Sequence, residues 1–198
     1  MRGTMNKTLV ILGIALIVVG LALLALLLVP WFAGDDVGSA AGDMDRHFIE
    51  EMIPHHEDAV SMSELALTKA EHTELRDLAR AIIQNQTQEI DDMRSWYLSW
   101  YGTEVSEDTG EFRGPGGGMM GGGMMHDEAD MEVLKAAAVF DQEFIGQMIP
   151  HHQMGVMMAR MVLARTDRPE IEQLAQSIIE TQTNEIELMR DWYREWYE

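Results

Sequence analysis

The run Asp45-Arg46-His47-Phe48-Ile49-Glu50-Glu51-Met52-Ile53-Pro54-His55-His56 returns as Asp141-Gln142-Glu143-Phe144-Ile145-Gly146-Gln147-Met148-Ile149-Pro150-His151-His152. Extended without a gap, residues 45–101 lie over 141–197, and about 26 of the 57 positions are identical, which is internal duplication. Each copy carries two stretches of helical periodicity: 43–69 and 73–101 in the first, 128–165 and 169–197 in the second. Asp127 is the expected N-cap of the third stretch, and Pro169 suits the first turn of the fourth. Short polar connections at 70–72 and 166–168 make each pair an antiparallel hairpin, so the predicted fold is all-α, a four-helix bundle built from two tandem hairpins.

Outward from this duplicated region, residues 8–29 form a charge-free apolar stretch of about 22 residues, long enough for a bilayer core of about 30 Å. A cleavable signal has an apolar stretch of about 7–15 residues with a small-residue site close behind; here the nearest such site, at 39–41, is too far downstream. The expectation is an uncleaved transmembrane helix. Arg2 and Lys7 precede it and Asp35 and Asp36 follow, which places the N-terminus in the cytoplasm and the rest outside, extracellular or periplasmic. The organisation read from the sequence is a cytoplasmic tail (1–7), an anchor (8–30), a linker (31–42), hairpin repeat 1 (43–101), a flexible linker (102–126) and hairpin repeat 2 (127–198). Glycine density in the segment 114–126 excludes a regular element there.

The formal charge is −20, and all 34 acidic residues lie beyond the apolar stretch. Nucleic acid and anionic lipid headgroups are thereby excluded as partners, whereas cations are favoured. Cysteine is absent, which removes disulfides and thiolate chemistry. Methionine, at 17 residues, is abundant. With thiolate missing, thioether and imidazole are the remaining soft or borderline donors, a set that suits copper.

On a helical projection His55 and His56 straddle the face that carries Phe48, Met52, Ala59 and Ala66, so both imidazoles point inward; His151 and His152 repeat the arrangement. Ala59 and Gly155, one turn on, leave room for an ion, a water or a close helix. Pro54 and Pro150 lie inside the helical pattern at a cost of about 3 kcal/mol each, which predicts a bend that shapes a site; the alternative is a helix that starts at each proline. On the second helix Leu75, Leu78, Ile82, Met93, Trp96 and Trp100 form an apolar stripe with Glu89 at its centre and Gln86 beside it. A carboxylate there needs a partner. Counted from the hairpin turn, His55 and Glu89 lie at nearly one level, which predicts a polar layer of four histidines, Glu89, Glu185, Gln86 and Gln182. This layer is either a metal site flanked by Met52, Met62, Met148 and Met158 or a metal-free His to Glu network that specifies helix register.

Only the second copy has Met154, Met157, Met158 and Met161 at i, i+3, i+4, i+7, facing mostly away from the histidines. This stripe is a thioether site for Cu(I), or a surface covered by the Gly/Met linker or by another subunit in a homo-oligomer. Met119, Met120, Met124, Met125 and His126 in the linker are further metal-capture candidates. Both second helices end in Trp-Tyr-x-x-Trp-Tyr, and a helix antiparallel to one that leaves the membrane returns to it. Both aromatic ends are therefore expected at the membrane side, as packing or as an interfacial belt.

The motif Asp-x-x-Phe-Ile-x-x-Met-Ile-Pro-His-His in both copies, followed by Leu78-Ala79, Ile82-Ile83, Gln86, Glu89-Ile90, Met93 and Trp96 and by Leu174-Ala175, Gln182, Glu185-Ile186 and Trp192, resembles the bacterial domain-of-unknown-function family 305. The resemblance implies a ferritin-like bundle, usually exported, and for some members copper binding and copper tolerance through His and Met. By position it carries Met52, His55, His56, Met62 and Glu89, with Met148, His151, His152, Met158 and Glu185, as candidate ligands. Carboxylate-bridged di-iron sites use Glu-x-x-His, and here Met52 and Met148 occupy the glutamate positions, so that chemistry is not matched. No nucleophile with an adjacent base is evident. The reading is an exported, anchored binder of Cu(I) or Cu(II), or of another transition metal, more a buffer than an enzyme. The alternatives are a metal-dependent oxidoreductase or hydrolase and a metal-free structural or partner-binding module.

Overall fold

The computed structural model describes residues 40–106 and 128–198. The apolar stretch 8–29 and the linker candidates Met119, Met120, Met124, Met125 and His126 lie outside the described residues, as does Asp127. Among the described residues there are five helices and no strand: α1 (Ala40–Lys69), α2 (Thr73–Tyr101), α3 (Glu128–Ala136), α4 (Phe140–Leu163) and α5 (Pro169–Tyr197). None is long and apolar enough to cross a membrane.

Four long helices form the bundle. α1 packs on α2 and α4 on α5 as the two hairpins, and the hairpins meet through α1 and α4. α1 and α4 both run through their prolines, so neither helix starts at Pro54 or Pro150. Their inward positions are mostly apolar, with an aspartate near each start (Asp45, Asp141), Ser63 on α1, and histidine at the centre. α2 ends at Gly102, whose φ of 70° closes the helix with its N–H donating to the Leu98 carbonyl at 3.0 Å. α5 begins with Pro169 in its first turn.

The predicted helix over 128–165 is divided. Three alanines at 136–138, all strong helix formers, gave no sign of a break, yet the chain turns there and α3 folds back. The tertiary reason is Leu134, fully buried with Ala66, Phe140 and Phe144. α3 thus covers the end of the bundle near the first hairpin turn, where Lys69 Nζ donates to the Lys135 carbonyl at 2.5 Å.

α1 and α4 are antiparallel, as contacts at both ends require. Arg168, beyond the end of α4, pairs with Asp45 near the start of α1 at 3.4 Å. At the other end Asp141, at the start of α4, accepts the backbone N–H groups of Glu71 (3.0 Å) and His72 (2.9 Å) and contacts His72 Nδ1 at 2.7 Å. Each hairpin turn is therefore held by an aspartate of the other repeat. His72, the N-cap of α2, makes no side-chain cap of its own, and Asp141 fills that role from a different helix.

This arrangement corrects the expectation for the aromatic ends. Trp100 stacks under the Arg168 guanidinium (4.1 Å), while Trp196 stacks flat on His72 at 3.6 Å between ring centroids. Trp96, Tyr97, Trp100 and Tyr101 gather with the start of α1; Trp192, Tyr193, Trp196 and Tyr197 gather at the opposite end, about 45 Å away along a 30-residue helix. Both cannot be on the side from which α1 emerges.

Candidate metal centre

Two apolar clusters fill the two ends of the bundle, and the polar layer separates them. One contains Ala59, Met62, Ala66, Leu75, Phe144 and Met148; the other contains Phe48, Met52, Met93, Ala159, Val162 and Ile178. Between them His55, His56, His151 and His152 are all buried, as are Gln86, Gln182 and Glu185. The predicted layer is present.

Its members engage one another in a repeated way. His56 Nε2 lies 2.7 Å from Glu89 Oε2, and His152 Nε2 lies 2.7 Å from Glu185 Oε2. Where α1 crosses α4, the His55 and His151 rings are 3.8 Å apart between centroids, and His55 Nε2 donates to the His151 carbonyl at 3.0 Å. The approach is close because position 155 is glycine: a Cβ there would stand 2.4 Å from Gln182 Oε1 and 3.0 Å from His55 Cε1. At Gly155 the space that the sequence left open for an ion, a water or a helix is taken by these two side chains.

Burial sets the protonation. His56 is pushed down to about 3, first by desolvation and then by His152, with Glu185 opposing. Glu89 is pushed up to about 7, first by desolvation and then by Asp92, with His152 opposing. Each residue feels His152 of the other repeat, so the two His/Glu pairs are electrostatically coupled. Neutral imidazole is the state that a metal ion requires.

The donor set fits a soft or borderline cation. His56 Nδ1 and His152 Nδ1 are buried without hydrogen-bond partners, and so are Gln86 Oε1 and both polar atoms of the Gln182 amide. Orphaned buried atoms of this kind carry a desolvation penalty that a ligand would relieve. Among the described residues, however, no three His, Asp or Glu side chains converge on one point, so a closed cage of such ligands is not formed.

The methionine candidates divide. Met52, Met62 and Met148 are fully buried in the apolar clusters. Met158 is only partly buried against the second cluster. Met154 and Met157 are also partly buried, and Met161 is 43% exposed, so the stripe lies on the bundle surface as its phase predicted. The paired aspartates Asp45 and Asp141 had no role in the sequence reading. Their signal was present: both are identical in the two copies and fall on the inward face, three residues before Phe48 and Phe144.

The profile of the family described as Domain of unknown function (DUF305) matches residues 45–193. The chain belongs to the DUF305 family. Among solved structures, it is similar to CopM in the Cu(I)-bound form, at 45% identity over 78% of this chain and 98% of that one with a TM-score of 0.66. It is similar to CopM in the Cu(II)-bound form at 47% identity, over 77% and 97% of the two chains, with a TM-score of 0.68. A putative secreted DUF305 protein from Streptomyces coelicolor is 30% identical over 77% of this chain and 93% of that chain, with a TM-score of 0.66. A curated relative, uncharacterized protein L153 of Acanthamoeba polyphaga mimivirus, is 43% identical over 53 residues, 27% of this chain and 35% of that protein. The DUF305 match spans both repeats, so the duplicated layer falls inside it.

Proposed function

We propose that this chain is an exported, membrane-tethered protein with a ferritin-like bundle that binds copper through His and Met and buffers or passes it outside the cytoplasmic membrane. The observation that carries the reading is the buried, duplicated His/Glu layer with its orphaned imidazole nitrogens, in a chain similar to copper-bound CopM. Copper here is cargo. Neutral imidazoles serve either oxidation state, and thioethers favour Cu(I).

A second reading is supported by the same geometry. Both Nε2 atoms already contact carboxylates at 2.7 Å, and no three His, Asp or Glu side chains converge among the described residues. On that reading the layer fixes the packing of the helices and copper goes to the surface methionines of α4. Titration of the full chain with Cu(I), Cu(II), Zn(II) and Fe(II) under matched conditions separates the two. Loss of a high-affinity copper equivalent in H55A/H56A/H151A/H152A supports the layer. Loss confined to a variant lacking Met154, Met157, Met158 and Met161 supports the stripe, and copper binding unaltered in both sets removes the assignment. Turnover in an oxygen-consumption assay would make the protein an enzyme instead.

A further inference from the structure

The histidine layer is closed along the bundle axis by fully buried side chains, Met52, Met93 and Ile178 at one end and Met62, Phe144 and Met148 at the other. It is also closed on three sides, where α1 packs on α2, α4 on α5, and α1 on α4. On the fourth side α2 and α5 approach their hairpin partners far more closely than each other. A groove remains there, lined in repeat-related pairs by Ile82 and Ile178, Asn85 and Thr181, Gln86 and Gln182, Glu89 and Glu185. It has room for about one water-sized occupant.

We propose that this groove is the port through which a copper ion enters and leaves the buried layer, with Gln86 and Gln182 as its inner lip. The proposal rests on the layer being a copper site. Three features carry it. The two carboxylates that line the groove are the ones that hold His56 and His152, so an ion that reaches Glu89 or Glu185 is one side chain from an imidazole. Gln86 and Gln182 are almost wholly buried, yet Gln86 Oε1 and both Gln182 amide atoms have no protein partner. Their amide oxygens can replace water around an ion that sheds its hydration shell. The lining carries two carboxyl groups, Glu89 and Glu185, in a chain whose formal charge of −20 favours cations as partners.

The test is kinetic, on the full chain, with Cu(II) and with Ag(I) as a redox-inert stand-in for Cu(I). Uptake and release are followed by stopped flow against a chromophoric chelator in wild type, N85F/T181F, Q86A/Q182A and the outer-face control R80F/Q176F. A plugged mouth is expected to slow uptake and release together by about tenfold and to leave Kd unchanged, because a barrier alters both rates equally. Removing the amides in Q86A/Q182A, which leaves the dehydrating ion without their oxygens, slows both, and the control matches wild type. Unchanged uptake in N85F/T181F, or a weakened Kd with unchanged uptake, overturns the port. H56A/H152A identifies which reading has failed. If that variant titrates like wild type, the layer is not the copper site and the port falls with it. If it loses copper while N85F/T181F keeps wild-type rates, the layer stands and the port alone is wrong.

Discussion

The two repeats agree in their centre and disagree around it. Both place two histidines after a helix-internal proline, both pair the second histidine with a glutamate at 2.7 Å, and both send an aspartate to the other repeat's turn. They differ at positions related by the duplication: Ala59 against Gly155, Asp58 against Met154, Ser61 against Met157, and Leu65 against Met161. The shared histidines and aspartates are buried, whereas the differing positions, Ala59 and Gly155 apart, are partly buried or exposed. The layer and the α4 stripe are therefore separable features of the chain, and their roles can be tested independently.

The largest expected effect comes from breaking the shared feature on one side. Asp141 accepts two backbone N–H groups and contacts the His72 ring, so D141A should lower stability by about 2–3 kcal/mol. Asp45 holds the Arg168 and Thr166 side chains, and burial already raises its carboxyl above the usual range. D45N should cost about 1 kcal/mol, as urea midpoints would show; equal losses at the two sites would remove the distinction.

Next is the exchange of small residues. G155A drives a methyl group into Gln182 and should cost about 1–3 kcal/mol, whereas A59G should cost about 1–2 kcal/mol through backbone entropy and the loss of a buried methyl group. A stable G155A with an unmoved Gln182 side chain in a crystal structure would contradict the contact.

The pH response tests the layer. In the unfolded chain His56 binds a proton below its ordinary 6.5, which the folded state refuses until about 3, so this group removes stability as pH falls through that window. Glu89 acts oppositely: the folded state keeps its proton from about 7 down to the ordinary 4.5, so stability rises as pH falls between those values. The two offset each other between 6.5 and 4.5, and loss should steepen only below 4.5. E89Q removes the offset, and its thermal midpoint should begin to fall near pH 6.5. Identical pH profiles for E89Q and wild type would contradict the coupling.

The smallest effect on stability should come from making the second repeat's surface like the first. M154D/M157S/M161L, at surface positions, should shift stability by no more than about 0.5 kcal/mol. On the proposed function it should lower the Ag(I) stoichiometry; an unchanged stoichiometry would leave the stripe as packing.

The sequence revealed α2 and α5 to the residue, because turn chemistry bounds both: Gly102 beyond one and Pro169 at the head of the other. It revealed the His/Glu layer because a glutamate on an apolar stripe requires a partner, and level counting supplied one. It did not reveal the break before Phe140, where alanines favour a helix and only the burial of Leu134 opposes it. Nor did it reveal the direction of one hairpin against the other, since periodicity within a hairpin carries no information about its neighbour. The misplacement of the aromatic ends followed from that, and so did the missing role of Asp45 and Asp141.

The crossed aspartates bear on ancestry. Neither half finishes its own turn, so a primitive chain of one repeat could have closed by clasping an identical antiparallel twin about a twofold axis. Fusion of the two genes would then have freed each half to diverge while the clasp kept both in step. Halves expressed as separate polypeptides should still find one another.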